Sequence, residues 1–321
     1  MQGKIGLEEH FSGADTLEDS HGFVGDEIWR ELGSNLLDVG ERRLAQMDRH
    51  GIERMIVSLN APAVQRIADA KRAIEVGRRA NDLLAEHVAK HPDRFSGFAA
   101  LAMQDPQAAA LELRRCVREL GFVGALVNGY SNVGAADNAV YYDLKQYWPF
   151  WAVVEELDVP FYLHPRPPSQ LQAYQGHPWL IGPAYGFAAE TGLHALRLLG
   201  SGLFDRHPRL RLILGHMGEN LPFHLYRTDQ RIAWSPMGYP AKKTFSEYFQ
   251  SNVFVTTAGN FRTQTLIDCM LEIGADRILF STDYPFEAVK EAAEWFDATP
   301  ISATDKLKIG RENALRLFKL R

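Results

Sequence analysis

Short apolar runs alternate with longer amphipathic stretches along this chain. Eight runs have the length and apolar content of buried β-strands: residues 5–7, 54–59, 95–101, 122–128, 159–164, 210–216, 253–257 and 277–283. Helical periodicity is clearest between them, in residues 71–90, 106–120, 187–204, 263–273 and 302–320. Asp105-Pro106 predicts the start of a helix, and Gly121 and Gly274 lie where helices should end.

This alternation predicts an α/β protein with parallel strands. Eight strand–helix repeats favour closure into a single (β/α)₈ TIM barrel, and we expect residues 1–321 to form one barrel domain. A doubly wound open sheet is the alternative, but no Gly-x-Gly-x-x-Gly motif follows the first strand. Residues 11–40 and 165–186 are predicted to be long loops after strands 1 and 5. Loops at this end of a barrel usually build or cover the active site.

Composition narrows the class of protein. The chain has 321 residues, of which 46% are hydrophobic and 23% charged, with a net charge of -5 and a pI near 6.1. These values argue against a general nucleic-acid or membrane-surface binder. Cys116 and Cys269 are far apart in helix-like stretches, which indicates reduced thiols. With no signal-like or membrane-spanning run, we expect a cytoplasmic protein.

Titratable residues follow four of the predicted strands. The first strand ends Glu8-Glu9-His10, the fifth ends at His164, the sixth at His216 and the eighth at Asp283. Chemistry in a TIM barrel takes place at the carboxyl ends of the strands. Because strand residues alternate between faces, Glu8 and His10 should point the same way and Glu9 the other way.

Glu8, His10, His164 and Asp283 together offer two nitrogens and two carboxylate oxygens. A lone histidine at one strand end is more often a hydrogen-bonded core residue, but four coincident ends favour a metal or acid–base site. This donor set suits Zn²⁺, Mn²⁺ or Fe²⁺. We expect one divalent ion per subunit, Zn²⁺ first and Mn²⁺ as the alternative, and no organic cofactor. His216 is either a fifth ligand or a free acid–base group, oriented by Glu219.

Several short motifs carry a family resemblance that spans the chain. Besides Glu8-x-His10 they are Ala61-Pro62-Ala63-Val64-Gln65, Gly121-Phe122-Val123-Gly124-Ala125, Phe161-Tyr162-Leu163-His164-Pro165-Arg166, Gly215-His216-Met217-Gly218-Glu219, Gly259-Asn260-Phe261-Arg262 and Thr282-Asp283-Tyr284-Pro285-Phe286. The chain resembles the decarboxylase branch of the amidohydrolase superfamily, which includes aminocarboxymuconate-semialdehyde decarboxylase. Within that branch it is most similar to the γ-resorcylate (2,6-dihydroxybenzoate) and 2,3-dihydroxybenzoate decarboxylases. One departure is Asn220, where the family pattern has glycine.

The resemblance implies a function and a role for individual residues. It implies reversible, cofactor-free, non-oxidative decarboxylation of an ortho-hydroxybenzoate, with 2,6-dihydroxybenzoate giving resorcinol and CO₂ as the specific expectation. The implied metal ligands are Glu8, His10, His164 and Asp283, and the implied catalytic residues are Asp283, His216 and Glu219. The implied substrate-binding residues are Phe23, Asn128, Arg227 and Phe286. Arg227 is implied to reach a neighbouring subunit of a homotetramer built as a dimer of dimers.

Cofactor-free decarboxylation requires a proton on the ring carbon that bears the carboxylate. We expect Asp283 to donate it, with His216 and Glu219 stabilising and relaying charge. A divalent ion with Glu8, Asp283 and two neutral histidines is formally neutral, so an anionic substrate needs a further cation. Arg227 is the candidate, although its sequence context alone favours a surface helix residue.

Two other functions stay open from the sequence. The first is a metal-dependent hydrolase or hydratase on the same scaffold, acting on a lactone or an unsaturated carboxylic acid. The second is a barrel that has lost catalysis and serves as a scaffold. The intact set of four strand ends argues against the second.

Overall fold

The computed structural model describes residues 1–18, 21 and 24–320. Eight short runs of apolar residues form the strands that the sequence predicts, and we number them in chain order: β1 (Lys4–Phe11), β2 (Ile52–Leu59), β3 (Phe95–Ala99), β4 (Gly124–Asn128), β5 (Phe161–His164), β6 (Leu212–Leu214), β7 (Val253–Thr256) and β8 (Ile278–Leu279). All eight are parallel and pair with their neighbours in chain order.

Side-chain and loop contacts join β8 back to β1. The Ser281 Oγ accepts from the Glu8 N–H at 2.7 Å, and the His10 N–H donates to the Tyr284 carbonyl at 2.7 Å. The sheet is therefore a nearly closed barrel, and the predicted TIM-barrel fold is confirmed. An antiparallel ladder of Ser131–Asn132 with Ala139–Val140 lies after β4, outside the barrel.

Helices follow the strands, as the periodicity predicts. Their bounds are Asp26–Leu37, Glu41–His50, Ala70–Lys90, Pro106–Arg118, Trp148–Leu157, Gly186–Gly200, Leu203–Arg206, Leu225–Trp234, Phe245–Ser251, Thr263–Ile273, Val289–Ala298, Ala303–Leu307 and Asn313–Phe318. The Asp105 side chain caps its helix by accepting from the Gln107 and Ala108 N–H groups, and Gly274 caps another at φ +80°. Among the described residues, no helix is long and apolar enough to cross a membrane.

Two predicted helices are interrupted, and the two long loops have some structure of their own. The stretch 187–204 breaks at Gly202, whose φ of +82° lies in the left-handed region. The stretch 302–320 contains a π-helical segment, Lys308–Glu312. The first loop contains the helix Asp26–Leu37, and the second contains only the short 3₁₀ turns Leu171–Tyr174 and Pro178–Leu180.

Two apolar layers hold the barrel together. The larger lies between the strands and the helices. The smaller fills the barrel interior and contains Ile5, Leu7, Ile56, Phe98, Leu126, Tyr162, Ile213, Phe254 and Leu279, joined by Leu317 and Phe318 of the last helix. Burial of these side chains is the main stabilising contribution to such a core. It also gives the strand ends above it a rigid base.

Candidate metal centre

A β-bulge shapes the end of β1. The pairing with β2 shifts register between Gly6 and Glu9, so three residues on β1 span two on β2. Leu7 belongs to the barrel interior, and Glu8, the next residue, also points inward, towards the site. Such a bulge re-aims side chains without breaking the strand. Alternation resumes after it, so Glu8 and His10 share a face as the sequence predicts.

Four side chains at the carboxyl ends of three strands converge. One ligand atom each from Glu8, His10, His164 and Asp283 lies within 4.8 Å of the other three. His164 Nε2 lies 3.3 Å from Glu8 Oε1, and His10 Nε2 lies 3.3 Å from Asp283 Oδ1. We call these four residues the four-ligand cluster. It unites all four residues that the sequence singles out as metal ligands.

The cluster fits a divalent cation. The Ser58 hydroxyl lies 3.2 Å from His10 Nδ1, which turns Nε2 towards the cluster. His10 Nε2 and Glu8 Oε1 are buried and have no hydrogen-bond partner among the described residues. Buried polar atoms are normally paired, so two orphaned donor atoms aimed at one point indicate an ion. Two carboxylates and two imidazoles match the charge and ligand preference of Zn²⁺, Mn²⁺ or Fe²⁺.

The second oxygen of Glu8 has partners that the sequence analysis missed. Tyr162 and Thr256 both donate to Glu8 Oε2, the threonine at 3.1 Å. Both side chains are fully buried. The signal for Tyr162 was available, because a strand residue two before His164 points to the same side of the barrel. Thr256 at the end of β7 carried no such signal.

His216 lies beside the cluster. Its Nε2 is 3.6 Å from Asp283 Oδ2 and 3.9 Å from Glu8 Oε1, while Nδ1 hydrogen-bonds Glu219 Oε1 at 2.8 Å. Glu219 is buried and does hold the imidazole. The segment between the two residues is not a regular helix, because Met217 and Gly218 have non-helical, positive φ angles.

Left-handed backbone recurs around this site. His216 has φ +49°, Asp283 has φ +65° and Asn220 has φ +66°. Such angles cost a non-glycine residue of order 1–3 kcal/mol and tend to occur at functional sites. Asparagine tolerates this region better than most residues, which explains how Asn220 replaces the glycine of the family pattern.

Opposite charges set the ionisation of the site. Burial would raise the pKa of Glu8, but His216 and His164 outweigh it and lower that pKa. Burial also opposes the lowered pKa of Asp283, where the neighbouring imidazoles of His10 and His216 prevail. Burial would lower the pKa of His216, but Glu219 and Glu8 raise it well above the usual value. The cluster thus holds two carboxylates beside one imidazolium.

Glu9 faces away from the cluster, as strand alternation predicts. Its Oε1 accepts from the Thr282 N–H at 2.9 Å, and its Oε2 accepts from the Thr282 hydroxyl at 2.5 Å. The buried Arg43 lies on the same side and donates to the His10 carbonyl at 2.5 Å. Burial raises the pKa of Glu9 to about 7, against the lowering effect of Thr282 and Arg43.

The predicted substrate-binding residues are only partly brought together. Asn128, at the end of β4, pairs with His164, and its Oδ1 is buried without a hydrogen-bond partner in the described part of the chain. The Phe286 ring meets the His10 imidazole edge-on at 5.9 Å between centroids. Arg227 is exposed on the helix Leu225–Trp234 and makes no ion pair with the described residues, so this chain alone does not bring it to the cluster. Phe23 lies outside the described residues.

Comparison with known proteins identifies the family of this chain. Residues 39–320 match the family model described as Amidohydrolase. The γ-resorcylate decarboxylase of Rhizobium sp. (strain MTP-10005) is 62% identical over 324 residues, which cover 100% of this chain and 99% of that protein.

Two solved structures are also similar over the whole chain. One is a 2,6-dihydroxybenzoate decarboxylase complexed with 2,6-dihydroxybenzoate, with 62% identity, a TM-score of 0.98 and 100% of both chains covered. The other is a dihydroxybenzoic acid decarboxylase from Polaromonas sp. JS666 with bound manganese and the inhibitor 2-nitroresorcinol. It has 62% identity and a TM-score of 0.97, and the match covers 100% of this chain and 98% of that one.

Proposed function

This chain belongs to the amidohydrolase family, and we propose that it is a carbon–carbon lyase that decarboxylates 2,6-dihydroxybenzoate to resorcinol and CO₂ without oxidation. The observation that carries the proposal is the buried four-ligand cluster, with Glu8 on β1, in a chain 62% identical to a γ-resorcylate decarboxylase over its full length. The reaction is reversible, so the enzyme also carboxylates resorcinol when bicarbonate is abundant.

A protonated His216 favours an aromatic acid at this site. Glu8 and Asp283 contribute two negative charges, which a bound divalent cation would neutralise, and the His216 imidazolium, paired with Glu219 through Nδ1, faces the cluster with Nε2. When bound, the cation supplies electrostatic stabilisation of the ortho oxygen and of a carboxylate oxygen. His216 then offers the substrate anion a positive partner, and the edge of Phe286 beside His10 offers its ring an apolar contact.

Protonation of the ring carbon is the work of Asp283 and His216. The two Asp283 oxygens face different neighbours, Oδ1 towards His10 and Oδ2 towards His216 Nε2 at 3.6 Å. His216, held by Glu219, would supply the proton, which passes to Asp283 and on to the ring carbon. The carbon–carboxylate bond then breaks, its electron pair restores the aromatic ring, and CO₂ leaves. Glu219, hydrogen-bonded at 2.8 Å, stabilises the imidazolium that donates the proton.

We propose manganese as the first metal to test. The expectation that Zn²⁺ is the native ion has no support beyond the donor set, which admits both metals. Manganese is the ion bound in the Polaromonas relative. Metal analysis of the purified protein, before any metal is added, identifies the ion.

The remaining substrate contacts are proposals as well. We propose that Phe23, Asn128 and Phe286 line the substrate ring and that Arg227 reaches the site of a neighbouring subunit in a homotetramer of two dimers. The exposed position of Arg227 supports a role across a subunit interface. We also propose that residues 1–321 form one domain and that the enzyme is cytoplasmic. Buried, unpaired Cys116 and Cys269 support the last point.

A substrate panel tests the function. Metal-stripped protein reloaded with Mn²⁺ should release CO₂ from 2,6-dihydroxybenzoate and accumulate resorcinol, whereas the metal-stripped form should not. The matched control substrate is 3,5-dihydroxybenzoate, which lacks an ortho hydroxyl and should not react. Hydrolysis of an aryl lactone without CO₂ release from any hydroxybenzoate would instead support the hydrolase alternative.

A further inference from the structure

The two oxygens of the Glu8 carboxylate have different surroundings. Oε1 faces the four-ligand cluster and has no hydrogen-bond partner among the described residues. Oε2 faces the barrel interior and accepts hydrogen bonds from Tyr162 and Thr256. The hydroxyls therefore fix which oxygen is presented to the cluster.

Tyr162 is held rigidly below the site. Its ring belongs to the apolar interior of the barrel and meets Phe98 edge-on at 6.0 Å between centroids. Its side chain is fully buried, so the hydroxyl has little freedom to follow a moving carboxylate. Thr256, at the end of β7, approaches from another strand, which fixes Oε2 from two directions.

The two hydroxyl protons of Tyr162 and Thr256 suffice for two hydrogen bonds to Glu8 Oε2. Tyr162 and Thr256 lie 3.1 Å apart, and each hydroxyl has a single proton, so donation of both to Glu8 leaves none for a bond between them. Thr256 Oγ1 is 3.4 Å from the Ala258 N–H, which supplies it with a donor. Such charge-assisted hydrogen bonds to a carboxylate are stronger than neutral ones.

Gly215 completes the pocket. A Cβ at this position would lie 2.8 Å from Glu8 Oε2 and 2.9 Å from Oε1. Only a residue without a side chain leaves the carboxylate in place. Three neighbours therefore determine the position of one ligand, and none of them is a candidate ligand itself.

From this geometry we propose that Tyr162 and Thr256 are positioning residues that make Glu8 a one-oxygen metal ligand. By occupying Oε2 they keep the carboxylate from binding the cation through both oxygens, which leaves room for a substrate oxygen. A carboxylate without these hydroxyls has free side-chain torsions and loses an orientation that the protein otherwise fixes. The inference rests on the metal site of the proposed function, not on the identity of the substrate.

Metal affinity of the substrate-free protein tests this role. Tyr162→Phe and Thr256→Val each remove one hydroxyl with little change in volume. Titration of metal-stripped protein with Mn²⁺, followed by the electron paramagnetic resonance signal of free Mn²⁺, gives the dissociation constant. Each variant should bind Mn²⁺ about 10- to 100-fold more weakly, the usual effect of losing a partner of a metal ligand. The spectrum of bound Mn²⁺ should change as well.

Two matched variants separate positioning from packing. Thr256→Ser keeps the hydroxyl and should bind Mn²⁺ like the wild type. Tyr142→Phe removes an equally buried hydroxyl that contacts Ser131 at 2.8 Å, away from the cluster, and should also leave Mn²⁺ affinity unchanged. If Tyr162→Phe fails to fold, the Mn²⁺ affinities of Thr256→Val and Thr256→Ser are compared instead, and equal affinities would overturn the positioning role of Thr256.

The outcomes distinguish this inference from the proposed function. Wild-type Mn²⁺ affinity in both Tyr162→Phe and Thr256→Val would overturn the positioning role. No Mn²⁺ binding by the wild type would overturn it together with the metal site. Weakened binding in these variants supports it even if the wild type releases no CO₂ from 2,6-dihydroxybenzoate, a result that would overturn only the substrate assignment.

Discussion

Glu8 and Glu9 are adjacent, chemically identical and equally buried, yet the structure gives them opposite environments. Glu8 faces two histidines of the four-ligand cluster, and the pKa of its carboxyl is lowered. Glu9 faces Thr282 on the outer side of the barrel, and burial raises its pKa to about 7. Because consecutive strand residues point to opposite faces, Glu8 is a candidate metal ligand, whereas Glu9 joins β1 to the segment after β8.

The difference shows that burial alone does not determine the pKa of a buried carboxylate, because the neighbouring groups decide whether its effect is reversed. Burial alone disfavours charge in both residues. Near Glu8 the imidazolium of His216 reverses that effect, whereas near Glu9 the hydrogen bonds from Thr282 and the charge of Arg43 do not. Exchange of the two roles by mutation should thus be impossible without moving the bulge that separates Leu7 from Glu9.

Replacement of Glu8 or of Glu9 by glutamine should give the largest difference between the two residues in Mn²⁺ binding and turnover. Glu8→Gln removes a proposed anionic ligand, so Mn²⁺ binding should be lost and turnover of 2,6-dihydroxybenzoate should fall at least about 10,000-fold, or roughly 5 kcal/mol. Glu9→Gln is the matched control, with the same change one residue away, and should retain Mn²⁺. Loss of Mn²⁺ in Glu9→Gln but not in Glu8→Gln would reverse the assignment.

Substitution of His216 should affect turnover but not Mn²⁺ binding, unlike substitution of a proposed metal ligand. His216→Asn should reduce turnover about 1,000-fold because the proton reservoir is lost, while Mn²⁺ affinity stays near wild type. Asp283→Asn should abolish turnover and weaken Mn²⁺ binding too, since we propose Asp283 as both proton donor and metal ligand. Circular dichroism should show both variants folded. Full activity of either would contradict the mechanism, and lost Mn²⁺ binding in His216→Asn would make it a fifth ligand.

The raised pKa of Glu9 should appear in the pH dependence of stability. A carboxyl whose pKa is higher folded than unfolded stabilises the fold below the unfolded value, near 4.5, and loses this contribution as pH rises towards 7. In metal-free protein, the free energy of unfolding of wild type relative to Glu9→Gln should therefore fall by up to about 3 kcal/mol across this window. Denaturant titrations at pH 5 and 7.5 measure it. A difference independent of pH would contradict the environment assigned to Glu9.

One glycine lies against each of the two carboxylates, and substitution of the two glycines by alanine should have different effects. Gly215→Ala places a Cβ 2.8 Å from Glu8 Oε2 and should weaken Mn²⁺ binding about tenfold. Gly6→Ala places a Cβ against Glu9 Oε1 and should cost about 1–2 kcal/mol of stability with unchanged Mn²⁺ affinity. The same effect on Mn²⁺ affinity from both would remove the distinction between the two faces of β1.

The sequence predicts the barrel and the convergence of four candidate ligands because their signals are local. Apolar runs mark all eight strands, and the titratable residues that follow four of them indicate the end of the barrel at which chemistry is expected. Alternation over three residues is enough to choose Glu8 over Glu9. The bulge at Leu7 is invisible to that rule, since it depends on the pairing of β1 with β2.

What the sequence misses depends on contacts between distant residues. Thr256 and Tyr162 meet Glu8 only because β7, β5 and β1 surround the same interior, 248 and 154 residues apart in the chain. The role of Arg227 stays a prediction, because this residue is exposed and a single chain gives it no ion-pair partner among the described residues. The π-helical segment Lys308–Glu312 is not predicted either.

Locating the ion in a crystal of the Mn²⁺-loaded protein tests the central claim most directly. Anomalous scattering measured at the manganese absorption edge should give one peak per subunit, about 2.0–2.2 Å from Glu8 Oε1 and from ligand atoms of His10, His164 and Asp283. Glu8 Oε2 should remain with Tyr162 and Thr256. A peak coordinated by Glu9, or one away from the four-ligand cluster, would contradict the account.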